Sequence, residues 1–302
     1  MPNLKKAALA AAWLVALAGL PGPARAGGVV LKHVSSVYAD ETGKALSRPE
    51  GVACSDDGQL VVADTGNARL VLLTFKGQAV LGGRPVTDAA LRTPQVVQLD
   101  ARGELVVLDA RSHELLKFSP KGEPLGKLEW KGLAAGEAPV IVAFKLRAGA
   151  LYLLDGAGKA VHVADYAGNV TRRLPLPAGK GPFTDLAVDG AGKIYAIDPA
   201  HATLWVADKE AKAFTAIEGG LKEVASFASQ LAIDGQNNLF AVDRNGGSLA
   251  QLGLDGVFQG RHLNFGWSDG QLRYPIQICV TADFLAVADR GNNRVQVFQI
   301  LR

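Results

Sequence analysis

Six aspartates close six short apolar runs: Leu60-Val-Val-Ala-Asp64, Leu105-Val-Val-Leu-Asp109, Leu151-Tyr-Leu-Leu-Asp155, Ile194-Tyr-Ala-Ile-Asp198, Leu239-Phe-Ala-Val-Asp243 and Leu285-Ala-Val-Ala-Asp289. Carboxylates are ligands for calcium, so a set of six raises the question of a metal ring. Their placement favours another role. Each ends a strand, one per unit, too far from the next copy to share an ion, and an Asp there accepts N–H bonds from its own turn. The five histidines, His33, His113, His162, His201 and His262, show no H-x-H or H-E-x-x-H spacing, so zinc has no local signature. Neither a P-loop nor a C-x-x-C-H motif occurs.

The aspartates recur at intervals of 45, 46, 43, 45 and 46 residues. A period in that range, with several short apolar runs per unit and turn residues between them, fits one four-stranded propeller blade. The expected fold is therefore all-β, a six-bladed β-propeller. In the first unit a strand at Gly51-Val-Ala-Cys54 leads through Ser55-Asp-Asp-Gly58 to the strand ending in Asp64; a third runs from Leu70 to Phe75, and the Lys76-Gly77 turn opens a fourth. Similar turns recur at Pro120-Lys-Gly122, Ala167-Gly168 and Asp255-Gly256. The last unit stops after its third strand, Arg294 to Ile300. Val29 to Val37 have strand character and are expected to supply the missing fourth, closing the ring and removing an exposed sheet edge.

Lys5 and Lys6 precede an apolar stretch from Ala7 to Leu20, which ends in Ala24-Arg25-Ala26. This pattern reads as a secretory signal peptide cleaved after Ala26, leaving residues 27–302 as one periplasmic or secreted domain with no membrane insertion. Cleavage removes Lys5, Lys6 and Arg25, so Lys+Arg falls from 32 to 29 against 29 Asp+Glu. A neutral domain has no general attraction for phosphate, and nucleic acid is excluded as a partner. The domain is expected to be a monomer. An oxidising compartment permits a bridge between Cys54 and Cys279. Counted from the blade prolines Pro49 and Pro275, however, the two fall at adjacent template positions, which point to opposite faces of a strand, and two buried thiols are expected instead.

Blade 1 reads Pro49-Glu50-Gly51-Val52-Ala53 and then Asp64-Thr65-Gly66-Asn67-Ala68-Arg69-Leu70; blade 6 reads Asp289-Arg290-Gly291-Asn292-Asn293-Arg294-Val295. These runs, with a connector from Phe265-Gly266 to Pro275, resemble the NHL-repeat family of six-bladed propellers. The resemblance implies a scaffold fold used for many tasks. The middle four blades keep the apolar strand and its Asp but have lost the Asn and Arg. Arg69 and Arg294, five residues after an aspartate, are expected to bind turn carbonyls or a neighbouring carboxylate, as the family motif does.

Two related propeller types bear on activity. Propeller lyases place several histidines at the channel mouth, where this sequence offers Glu50, Gln95 and Thr184. Gluconolactonase-like hydrolases hold calcium with a Glu, an Asn and an Asp from different blades. Glu50 and Asp185 stand in for two of these, with Gln230 and Gln277 also at the mouth, but the Asn is not evident. A calcium-dependent lactone or ester hydrolase is thus the alternative reading. A sensor of small sugars or cell-wall fragments is a further one, for which Trp267, Tyr274 and Trp130 are the available aromatics.

The leading reading is a non-catalytic scaffold. Loops between blades, and between second and third strands, open on one face of a propeller, the top, and such loops carry binding. Sorting by that rule places Arg48, Arg69, Arg84, Arg92, Arg111, Arg244, Arg273, Arg290 and Arg294 there, from the contiguous blades 5, 6, 1 and 2. Blades 3 and 4 offer Gly156, Ala157, Pro199 and Ala200 at the matching turns. The expectation is a cationic crescent that captures an acidic protein partner.

Overall fold

A computed structural model describes residues 28–133, 138–217 and 221–302; the expected signal peptide lies outside them. The described chain forms six four-stranded antiparallel blades in a ring. Blade 1 comprises Gly51–Cys54, Gln59–Asp64, Arg69–Lys76 and Ala79–Val86. Blades 2 to 5 repeat this order, and their innermost strands are Pro94–Leu99, Ile141–Arg147, Asp185–Val188 and Ala228–Ile233. Blade 6 takes Pro275–Val280, Phe284–Asp289 and Arg294–Leu301 from the end of the chain and Val30–Val37 from its beginning. The last two strands run antiparallel from Val30 opposite Leu301 to Val37 opposite Val295, as the truncated last unit required.

The second strands are apolar on both faces because both faces are covered. Six apolar cores lie between successive blades rather than in one central mass. Val62 and Val71 of blade 1, for example, pack against Ala286, Val295 and Val297 of blade 6, while Val61 and Leu70 face Val97 and Leu105 of blade 2. A strand buried on both sides reads as a continuous hydrophobic run, which is why these segments do not alternate. No helix among the described residues is long and apolar enough to cross a membrane.

The innermost strands descend from the top face, so their first residues ring the channel mouth. At the mouth, Gly51 has no room for a side chain: a Cβ there would stand 2.7 Å from the Gln95 carbonyl oxygen. The absent side chain leaves space for the Gln277 carboxamide, whose Oε1 would lie 3.2 Å from that Cβ.

Candidate functional site

All six aspartates are buried and spent on their own turns. Asp109 accepts the amides of Arg92 (2.8 Å) and Arg111 (3.1 Å), Asp155 those of Val140 (3.1 Å) and Gly158 (2.9 Å), and Asp243 those of Ser226, Phe227 and Gly246 at 2.9 to 3.0 Å. Each of these three aspartates thus joins the segment entering its blade to the turn that follows its second strand. The aspartates therefore shape the top face and do not ligate.

Blades 1 and 6 add side chains to this cap. Asp64 receives Asn67 Nδ2 and Arg69 Nε, both at 2.7 Å, and Asp289 receives Asn292 Nδ2 at 2.9 Å and Arg294 Nε at 2.8 Å. The same guanidinium groups then reach outward. Arg69 pairs with Asp40 and donates to the Lys44 carbonyl (3.1 Å); Arg294 donates to Tyr38 Oη (2.9 Å), Asp269 (3.1 Å) and the carbonyls of Ser268 and Gln271. Both side chains are almost wholly buried. They are unavailable to a partner, which removes two members of the expected crescent.

Two more are engaged elsewhere. Arg290 Nε lies 2.9 Å from Glu50 Oε1 at the channel mouth. Arg84 sits on the outermost strand of blade 1, opposite Leu72, and donates to the Lys121 carbonyl in the turn between the third and fourth strands of blade 2. That turn opens on the bottom face, so Arg84 does not belong to the top. Arg48, Arg92 and Arg111 are exposed, and Arg244 and Arg273 half-buried, with no carboxylate partner among the described residues. The free cations thus number five, on the entries to blades 1, 2 and 6 and the turns of blades 2 and 5.

The channel mouth is a cavity of about 490 Å³. Glu50, Asp185, Gln230 and Gln277 all line it, as do Lys145 and Arg244. Glu50 is held by Arg290 and by Gln95 Nε2 (3.0 Å). Asp185 pairs with Lys145 Nζ at 2.8 Å and accepts the Leu231 amide at 2.9 Å; burial pushes its carboxyl above the usual range, against the pull of the Lys145 ammonium. The two glutamines are latches. Gln230 Oε1 accepts the Ile278 amide of blade 6, and Gln277 Oε1 accepts the Val52 amide of blade 1, both at 3.3 Å. Together with Asp185 they tie blades 4, 5, 6 and 1 head to tail around the channel, satisfying amides that no strand partner reaches.

Calcium does not fit these residues. Glu50 and Asp185 stand on blades 1 and 4, each already held by a cation, and no group of three His, Cys, Asp or Glu among the described residues could hold a metal ion. Among the described residues no histidine lines the mouth. Trp130 packs against the core between blades 2 and 3, away from the channel.

Cys54 and Cys279 form a disulfide, with Cα atoms 5.7 Å apart. This overturns the expectation of two thiols. The two residues do occupy template positions on opposite faces of their strands, with Cys54 paired to Leu60 and Cys279 to Ala286. In a ring, the forward face of one blade meets the backward face of the next, so opposite parity is the condition for a bridge between neighbours. Both cysteines belong to the core between blades 6 and 1.

An aromatic cluster on the connector into blade 6 escaped the sequence reading as a unit. Phe265 stands edge-on to Trp267 (5.8 Å) and Tyr274 (6.0 Å), and the Arg273 guanidinium lies 5.6 Å from the Trp267 ring and 5.8 Å from that of Tyr274. Trp267 is 65 % exposed. The Phe265-Gly-Trp267 and Arg273-Tyr274 runs were its available signal, but their convergence depends on the parallel pairing of Asn264–Phe265 with Gln271–Leu272. Tyr274 holds a left-handed backbone with φ of 49°, a conformation bulky residues rarely adopt.

In the first and last blades, residues 46–71 and 272–298 match the NHL repeat. This is a six-bladed propeller carrying NHL repeats. No curated protein matches the chain in sequence. Among solved structures, the NHL propeller is similar to virginiamycin B lyase from Staphylococcus aureus (11 % identity, 91 % of this chain and 100 % of that one, TM-score 0.62). It is similar also to a putative gluconolactonase (11 %, 90 % and 92 %, 0.67) and to Kuenenia stuttgartiensis hydrazine synthase (12 %, 84 % and 96 %, 0.59). At these identities the likeness is one of fold.

Proposed function

We propose that this NHL propeller is a non-catalytic, extracytoplasmic binding platform whose top face captures an acidic protein partner. The observation that carries the reading is the set of exposed top-face arginines, Arg48, Arg92 and Arg111, left without carboxylate partners among the described residues, together with the aromatic cluster on the blade 6 connector that includes Arg273. Arginine and large aromatics are the residue types that dominate protein–protein hot spots, and unpaired guanidinium groups favour carboxylates bidentately. The disulfide and the signal-like leader both agree with an oxidising compartment.

The test is affinity capture from the organism's own extracytoplasmic fraction, comparing the wild-type protein with R92E/R111E and with W267A. The charge reversal is expected to weaken capture by about tenfold or more, in a manner that rises as salt is lowered. Equal capture by wild type and R92E/R111E at low salt would sink the proposal.

A further inference from the structure

The channel mouth holds polar groups that the latches and ion pairs leave over. Of the charged side chains lining the cavity, Glu50 is met by Arg290 and Gln95, and Asp185 by Lys145 and the Leu231 amide. The Gln230 and Gln277 carboxamides are occupied by backbone groups. Arg244 remains, without an acceptor for its guanidinium among the described residues. Thr184 Oγ1 and Ser229 Oγ are buried and have no hydrogen-bond partner, an unfavourable state for a hydroxyl.

These three groups come from one side of the ring. Thr184 and Ser229 immediately precede Asp185 and Gln230 at the tops of the innermost strands of blades 4 and 5, and Arg244 starts the turn after the second strand of blade 5. The same cavity is lined by apolar side chains, among them Val96, Val142, Phe183, Phe227 and Ile276. Lys145, Arg244 and Arg290 exceed Glu50 and Asp185 by one positive charge. A cavity of this size, in which apolar side chains stand beside charged and polar groups, has the character of a small-molecule site.

We propose that the channel mouth binds a small organic monocarboxylate, its carboxylate on Arg244 with the Thr184 and Ser229 hydroxyls and its apolar body against Phe183 and Phe227. The single excess positive charge selects one anionic group, and the guanidinium fork matches a carboxylate. The site lies in the channel and is independent of the rim surface proposed for a protein partner.

Benzoate and its neutral isostere benzamide serve as probes, with binding read by calorimetry and by the shift in melting temperature. Benzoate is expected to bind at millimolar or lower concentration and benzamide about tenfold more weakly or worse. R244M should weaken benzoate about tenfold or more, T184V/S229A by about threefold to tenfold, and R244K, which keeps the charge but loses the fork, by an intermediate factor. The surface variant R102A and the rim variant R92E/R111E should leave benzoate affinity unchanged. The proposal is overturned if benzoate fails to bind at millimolar concentration, if benzamide binds as well, or if folded R244M or R244K retains full affinity.

Discussion

Blades 1 and 6 hold their turn aspartates with a buried arginine, whereas blades 2 to 5 hold theirs with backbone amides and, in blades 3 and 4, an imidazole: His162 lies 3.3 Å from Asp155 and His201 2.6 Å from Asp198. The two kinds of cap shape the same turn, yet only the arginine reaches beyond it. Arg294 joins the third strand of blade 6 to Tyr38, just after the leading strand that completes that blade, and Arg69 grips Asp40 and Lys44 further along the same segment. Every other blade has its four strands joined in sequence. Blade 6 alone is assembled from both ends of the chain, so its closure depends on hydrogen bonds and on these clamps. The Asn–Arg motif survives where the ring must be fastened, and the disulfide crosses the same pair of blades.

Removing the clamp should produce the largest effect. Arg294→Ala strands Asp289 and frees the leading segment, with an expected loss of about 3–5 kcal/mol in chemical denaturation; a loss no greater than that of His201→Ala would erase the distinction between the two kinds of blade. Next comes the bridge. C54A/C279A should cost about 2–4 kcal/mol, and reducing the wild-type protein should lower its melting temperature to that of the variant. If reduction leaves the melting temperature where it was, the bridge does not secure the seam.

Within the middle blades, Asp243→Ala orphans three amides and is expected to cost about 1–3 kcal/mol, without the increased proteolysis of residues 30–47 that Arg294→Ala should show. Cleavage there in both variants would mean that the caps are not local. The smallest effect is one of pH. The Thr42 hydroxyl, the Lys44 amide, Arg69 and the Thr42 amide hold the Asp40 carboxyl down to about 2, against burial that raises it. A depressed carboxyl stabilises the fold above its unfolded value of 3.8 and loses that contribution as pH falls towards 2. Acid titration of stability should therefore be flatter in Asp40→Asn over that window; parallel curves would remove Asp40 from the clamp.

Much of the frame was legible because it is written in local patterns. Doubly buried strands demand continuous apolar runs, each second strand ends in an aspartate its own turn can use, and Arg294 to Ile300 stops one strand short. The channel-mouth positions of Glu50, Asp185, Gln230 and Gln277 followed from strand order in the same way. What those four side chains touch did not, since Gln277 reaches Val52 across 225 positions and Gln230 reaches Ile278 across 48. Arg84 was misplaced because a long side chain on a rim strand can reach the bottom turn of the next blade.

Sequence by itself determined the number of blades, their strand order and the origin of the closing strand, because repeat length, turn residues and apolar runs act within a few neighbours. Tertiary structure alone decided which arginines stay free and that Cys54 meets Cys279. Those outcomes depend on which face of one blade meets which face of the next, and that relation exists only once the ring has closed.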